Sequence, residues 1–230
     1  MLTVRLTLIL SCFAFVTPTC VDRVIFPMND EIRKVIIDTH NELRNKVAKG
    51  DQPTQNPAQN MRKLYWSEAL EKEAQDWADT CQFRHDPLLR ESRHGQNIYW
   101  VHSSYEKINM TAYLMEGVIE WYNEVDLGYN GTFNPETGHY SQLIWGATKL
   151  VGCGVAVTKT GRYTDIYLVC NYTPGGNVVG KLPYEYGTVD CENNEMFSST
   201  DYSHLCDINR EMLLSCQKQQ KELVKANNHL

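Results

Sequence analysis

The sequence has no C-x-x-C pair, which argues against a zinc ribbon or a thioredoxin-type redox centre. It has no HExxH, no other close metal-ligand spacing and no G-x-S-x-G nucleophile motif. It has no basic stripe: 22 Lys+Arg stand against 28 Asp+Glu, a formal charge of −6, so nucleic acid is not an expected partner. Beyond residue 20 no stretch reaches 18 apolar residues, so no membrane span and no stable membrane insertion are expected. No internal repeat is present. What is there is ordinary for a globular chain: 42% hydrophobic and 22% charged residues over 230 positions. That length suits one domain with a real core and a tail, or two small domains.

The first twenty residues stand apart. Residues 1–5 carry one positive charge, residues 6–16 form an apolar run broken by Thr7 and Ser11, and residues 17–20 are small and polar. This is a signal-peptide layout, so residues 1–20 are expected to be a leader and the product secreted and extracellular. The last five residues are neither a hydrophobic tail nor a retention signal, which points to release. Removal after Cys20 leaves Cys81, Cys153, Cys170, Cys191, Cys206 and Cys216, an even set suited to an oxidising compartment. Removal one residue earlier leaves an odd thiol. Sequons at Asn109, Asn130 and Asn171 fit a glycoprotein.

Apolar spacing predicts three helices. The first spans residues 29–50, with Ile32, Val35, Ile36, Leu43 and Val47 on one face, Asn29 as cap and Gly50 as stop. A second covers residues 67–81 and a third residues 109–125. Residues 96–101 read as a short strand. Residues 150–172 read as an antiparallel hairpin turning near Gly161, which sets Cys153 opposite Cys170. Directly opposed Cβ atoms lie within disulfide range. With 16 residues between them, the bridge contributes about 3 kcal/mol on loop entropy. Beyond Cys191, a polar stretch precedes a short helix containing Met212, Leu213 and Cys216.

His85 follows the second helix, Gln96 opens the strand, Glu124 ends the third helix and His139 follows Gly138. Two imidazoles with acids nearby suit a divalent cation such as Zn²⁺. On spacing alone, ordinary surface or hydrogen-bonded histidines are the better reading.

The run Gly138-His139-Tyr140-Ser141-Gln142-Leu143-Ile144-Trp145 resembles a signature of the CAP superfamily, which takes in cysteine-rich secretory proteins, antigen 5 and pathogenesis-related 1. The run from Val169 through Asn177 is similar to its second signature. His40-Asn41-Glu42-Leu43-Arg44 looks like its first-helix motif, and Trp77-Ala78-Asp79-Thr80-Cys81 followed by His85 matches the next segment. The chain is thereby identified as resembling the venom-allergen-like secreted branch. The resemblance implies an α+β fold, a three-layer α-β-α sandwich with a central antiparallel sheet. It sets the domain at residues 25–191, with residues 192–230 as an extension.

The resemblance also implies a cavity with two histidines, here His85 and His139, as weak ligands for zinc. It implies two glutamates beside them. One maps to Glu124, but the other position holds Gln96, which accepts a hydrogen bond yet carries no charge and cannot act as a base. Relatives bind sterols through the loop after the third helix. Here that is residues 125–137, where Leu127, Tyr129 and Phe133 are the expected lipid contacts. Others hold fatty acids. The function so implied is a secreted, non-enzymatic binder of a sterol or fatty acid. A ligand for host or cell-surface proteins is the alternative, and a metal-dependent hydrolase is a distant third. Many relatives bridge the cysteine matching Cys81 to one that in this chain is Thr158. Cys81 therefore pairs elsewhere, or with Cys20 if the leader is cut before it.

Overall fold

In the computed structural model, residues 20, 22–104, 108–208, 215, 218 and 222 are described. The expected leader up to residue 19 lies outside the described residues, as do Met212, Leu213 and Cys216. Ser215, Lys218 and Glu222 are helical.

Helix α1 (Asp30–Lys49) starts where the Asn29 side chain accepts the Ile32 amide at 2.9 Å. Asp30 and Glu31 sit at its positive end, and the chain leaves through Gly50 at φ 86°. Helix α2 (Glu68–Ala78) is capped by Ser67, and α4 (Met110–Asn123) by Asn109. Two short helices, α3 (Leu89–Ser92) and α5 (Gly138–Leu143), were not anticipated by periodicity. A 3-10 turn, Glu124–Leu127, continues from α4.

The sheet is built on a long hairpin, β4 (Leu150–Thr160) and β5 (Tyr163–Thr173), turning through Gly161. Strand β3 (Gly95–Ser103) pairs antiparallel with β5, and β1 (Arg23–Val24) pairs antiparallel with β4. The short β2 (Tyr65–Trp66) adds to β4 in parallel. Cys153 stands opposite Cys170, and the two are bridged.

Helix α2 lies directly on one face of the sheet. Methyl groups at Gly152 and Gly154 would stand 2.2 and 2.3 Å from α2 backbone atoms, so only glycine permits this approach. Ala74 and Ala78 pack there against Ile98, Ala156 and Val169. On the other face Ile36, Leu114, Val118 and Trp121 pack with Val155, Ile166 and Leu168. This is the three-layer α-β-α sandwich.

Two disulfides lie across the expected boundaries. Cys20 is bridged to Cys81, so it belongs to the folded chain and any leader ends before it. At the other end Cys191 is bridged to Cys206. Strands β6 (Phe197–Ser198) and β7 (Cys206–Asp207) pair with each other. Leu205 is fully buried in the main core, and Cys206 exchanges backbone hydrogen bonds of 2.8 Å with Met61 and Lys63. A division at residue 191 therefore cuts through a packed unit.

An open histidine pair as candidate metal and ligand site

The Glu124 carboxylate, just past the end of α4, organises the start of α5. Its Oε2 accepts the backbone amides of His139 at 2.9 Å and Tyr140 at 3.1 Å. An anion on the first amides of a helix is favoured by the helix dipole. Its Oε1 lies 2.5 Å from His139 Nδ1. Trp121 stacks on the His139 ring at 6.2 Å, and Asn97 donates to the His139 carbonyl at 3.0 Å.

His85 reaches the same place from the turn after α2. Its Nδ1 lies 3.1 Å from Gln96 Oε1, and the ring centroids of His85 and His139 are 6.5 Å apart. Gln96 Oε1 also accepts the Asp86 amide at 3.1 Å, while Gln96 Nε2 donates to Asn171 Oδ1 at 3.0 Å. The Asp86 amide can only donate, so it fixes which end of the Gln96 amide is oxygen. Each histidine Nδ1 therefore faces an acceptor and carries the proton. In the neutral rings each Nε2 then keeps its lone pair, and it has no hydrogen-bond partner among the described residues.

That is how metal-bound imidazoles are held, with the far nitrogen donating to a carboxylate or carbonyl. In this arrangement Gln96 and Glu124 orient the rings rather than react. The donor set is small, for among the described residues no group of three or more His, Cys, Asp or Glu is placed to hold a metal. Two nitrogens are half of a tetrahedral zinc set, so the pair suits weak, open coordination. The Ser141 hydroxyl, two residues past His139, donates to Asn177 Oδ1 at 2.6 Å.

The expected lipid loop divides. Leu127 is 63% exposed. Phe133 is half-buried, its ring over Gly138. Tyr129 is not an exposed contact: it is 5% accessible and packs edge-on against Tyr140 at 5.0 Å. Residues 177–187 supply more apolar surface, with Val178, Val179 and Leu182 exposed. The two loops meet at Gly131, where an added methyl would stand 2.4 Å from the Tyr186 hydroxyl. Asn109 and Asn130 are exposed. Asn171 is not: it is 1% accessible in the central strand, where a glycan has no room.

Sequence reasoning gave no role to the first-helix motif. Arg44 is fully buried and donates to the carbonyls of Arg62, Leu143 and Trp145 at 2.7–3.0 Å. Asn41 holds both the amide and the carbonyl of Leu64. His40 Nδ1 lies 2.7 Å from the Ile36 carbonyl, and its Nε2 lies 2.8 Å from the Tyr172 hydroxyl. Burial pushes His40 down to about 4, with the Ile36 carbonyl acting the other way, so it is neutral. Burial also lowers Arg44, to about 9, and it keeps its charge at neutral pH.

Comparison with known proteins gives one consistent result. The cysteine-rich secretory protein (CAP) family model matches residues 37–172. A salivary antigen-5 from Dipetalogaster maximus is 37% identical over 188 residues, covering 78% of this chain and 76% of that protein. Venom allergen 5 from Dolichovespula arenaria is 34% identical, covering 73% and 88%. The solved structure of NaASP2 with Zn²⁺ superposes with a TM-score of 0.65 at 26% identity, covering 78% of this chain and 96% of that one.

Proposed function

The chain belongs to the cysteine-rich secretory protein (CAP) family, and from that premise we propose that it is a secreted, non-enzymatic binding protein. It takes a small hydrophobic ligand, a sterol or a fatty acid, on the rim formed by residues 125–137 and 177–187. The observation that carries this reading is the run of exposed apolar side chains, Leu127, Val178, Val179 and Leu182, on loops that touch at Gly131 and Tyr186. Secretion is supported by the leader-like start, three disulfides and similarity to salivary and venom antigens. Among the described residues no helix is long and apolar enough to cross a membrane.

The test is a saturation assay with radiolabelled cholesterol and oleate, with and without the Asn130 glycan. Removing one exposed apolar side chain costs about 1.5–3 kcal/mol of contact at most. Leu127→Ser/Leu182→Ser is therefore expected to weaken binding tenfold or more. Tyr129 is unsuitable for this purpose because it belongs to the core. Unchanged binding in the double variant moves the ligand elsewhere. No saturable binding by the wild type replaces lipid carriage with action on a host or cell-surface protein.

A second reading is favoured by the two open Nε2 lone pairs. His85 and His139 would hold a divalent cation such as Zn²⁺ weakly, through two nitrogens. Glu124 supplies negative charge behind one ring and Gln96 supplies none behind the other.

A further inference from the structure

Helix α2 ends at Ala78, and beyond its end the same sheet face carries a strip of aromatic rings. Phe83 and Trp100 are 62% and 44% exposed. Their rings lie 6.0 Å apart, and Trp100 lies 6.3 Å from Tyr167 with planes 24° apart. At that spacing the rings are slipped rather than covering each other. Further along, His102 stacks on Tyr163 at 4.4 Å.

A carboxylate sits among these rings. Asp165 Oδ1 accepts Trp100 Nε1 at 2.9 Å and lies 2.9 Å from His102 Nδ1. Among the described residues no lysine or arginine pairs with Asp165, and its Oδ2 accepts no hydrogen bond. At one end of the strip the chain already places a cation on a ring: the Arg162 guanidinium lies 5.0 Å from the Tyr163 centroid. The other end, Phe83, Trp100 and Tyr167 with Asp165, has the same electron-rich faces and a carboxylate, and no cation of the described residues lies over it.

We propose that this open end binds a small organic ammonium cation, its charge set against Asp165 and its alkyl groups on the faces of Trp100 and Tyr167. Ring quadrupoles attract a cation placed over the face, and Trp does so most strongly. A carboxylate beside the ring adds direct Coulomb attraction. A neutral ligand of the same shape would gain the contact alone.

The experiment is a titration of ¹⁵N-labelled protein with choline at pH 8, read at the Trp100 indole N–H. Its uncharged isostere, 3,3-dimethylbutanol, is the control. Choline is expected to shift the Trp100 signal saturably and the isostere not to. Asp165→Asn keeps an oxygen for Trp100 and should weaken choline binding about tenfold. Tyr167→Leu should weaken it severalfold while the His139 signals stay in place, which reports that the fold is intact. An equal response to the isostere, an unchanged affinity in Asp165→Asn, or no saturable shift in the wild type would each overturn the proposal.

Discussion

His40 and His139 are both held through Nδ1, and there the likeness ends. His40 is fully buried, and its second nitrogen meets the Tyr172 hydroxyl at 2.8 Å. His139 is 29% exposed in its side chain, and its second nitrogen has no partner among the described residues. The first belongs to a closed clasp of His40, Asn41 and Arg44, in which each polar group answers a neighbouring backbone or side-chain group. The second belongs to an open pair with His85. A polar motif on an amphipathic helix and one on a surface turn look alike in sequence. What separates scaffold from site is whether a donor or acceptor is left over after folding.

The comparison is broken most severely at Arg44. Arg44→Met leaves the Arg62 and Leu143 carbonyls without a donor, while Trp145 keeps the Thr148 amide at 3.1 Å; each orphaned carbonyl costs about 1–3 kcal/mol. We expect a loss of at least about 2 kcal/mol, measured as a lower urea midpoint, with zinc uptake per folded molecule unchanged. Loss of zinc uptake in protein shown to be folded would mean that the clasp and the pair are one unit.

Acid offers a gentler way in. Folded His40 titrates near 4 against an ordinary 6.5, so between those values the unfolded chain binds more protons. The stability held by neutral His40 is complete above pH 6.5 and falls as pH drops toward 4. The gap corresponds to about 3 kcal/mol. Carboxylates titrate in the same region, so the informative quantity is a difference. Urea midpoints from pH 7 to pH 4 should fall less steeply in His40→Leu/Tyr172→Phe, which removes the ring and its hydroxyl partner together. Equal slopes would show that His40 does not govern the acid limb.

The three long helices, β3 and the hairpin were legible because each repeats its apolar spacing over several turns or rungs. The elements that build the site were not. Helix α5 has six residues, too few for a period to show. It is stabilised by Glu124 at its start and by Arg44 on the Leu143 carbonyl near its end, contacts that span 15 and 99 residues. Tyr129 lies in a run rich in Gly and Asn that reads as exposed, yet Tyr140 draws it into the core. Asn171 lies in a strand buried on both faces. The unbroken Ile-Tyr-Leu-Val-Cys run before it was the available signal, and the sequon overrode it. Gln96 illustrates the reverse: the lost charge was plain in the sequence, but not that its oxygen would still fix the His85 tautomer.

The central claim is that the pair has unfilled ligand positions and the clasp has none. The direct measurement is a zinc titration followed on histidine ring signals by NMR at pH 7.5, in wild type and in Gln96→Glu. Asn171 can turn its amide to donate to the new carboxylate, so the variant should fold and saturate at lower zinc. The account predicts that the rings of His85 and His139 shift or broaden together while His40 stays in place. A response at His40, or none at His85 and His139 up to millimolar zinc, would contradict it.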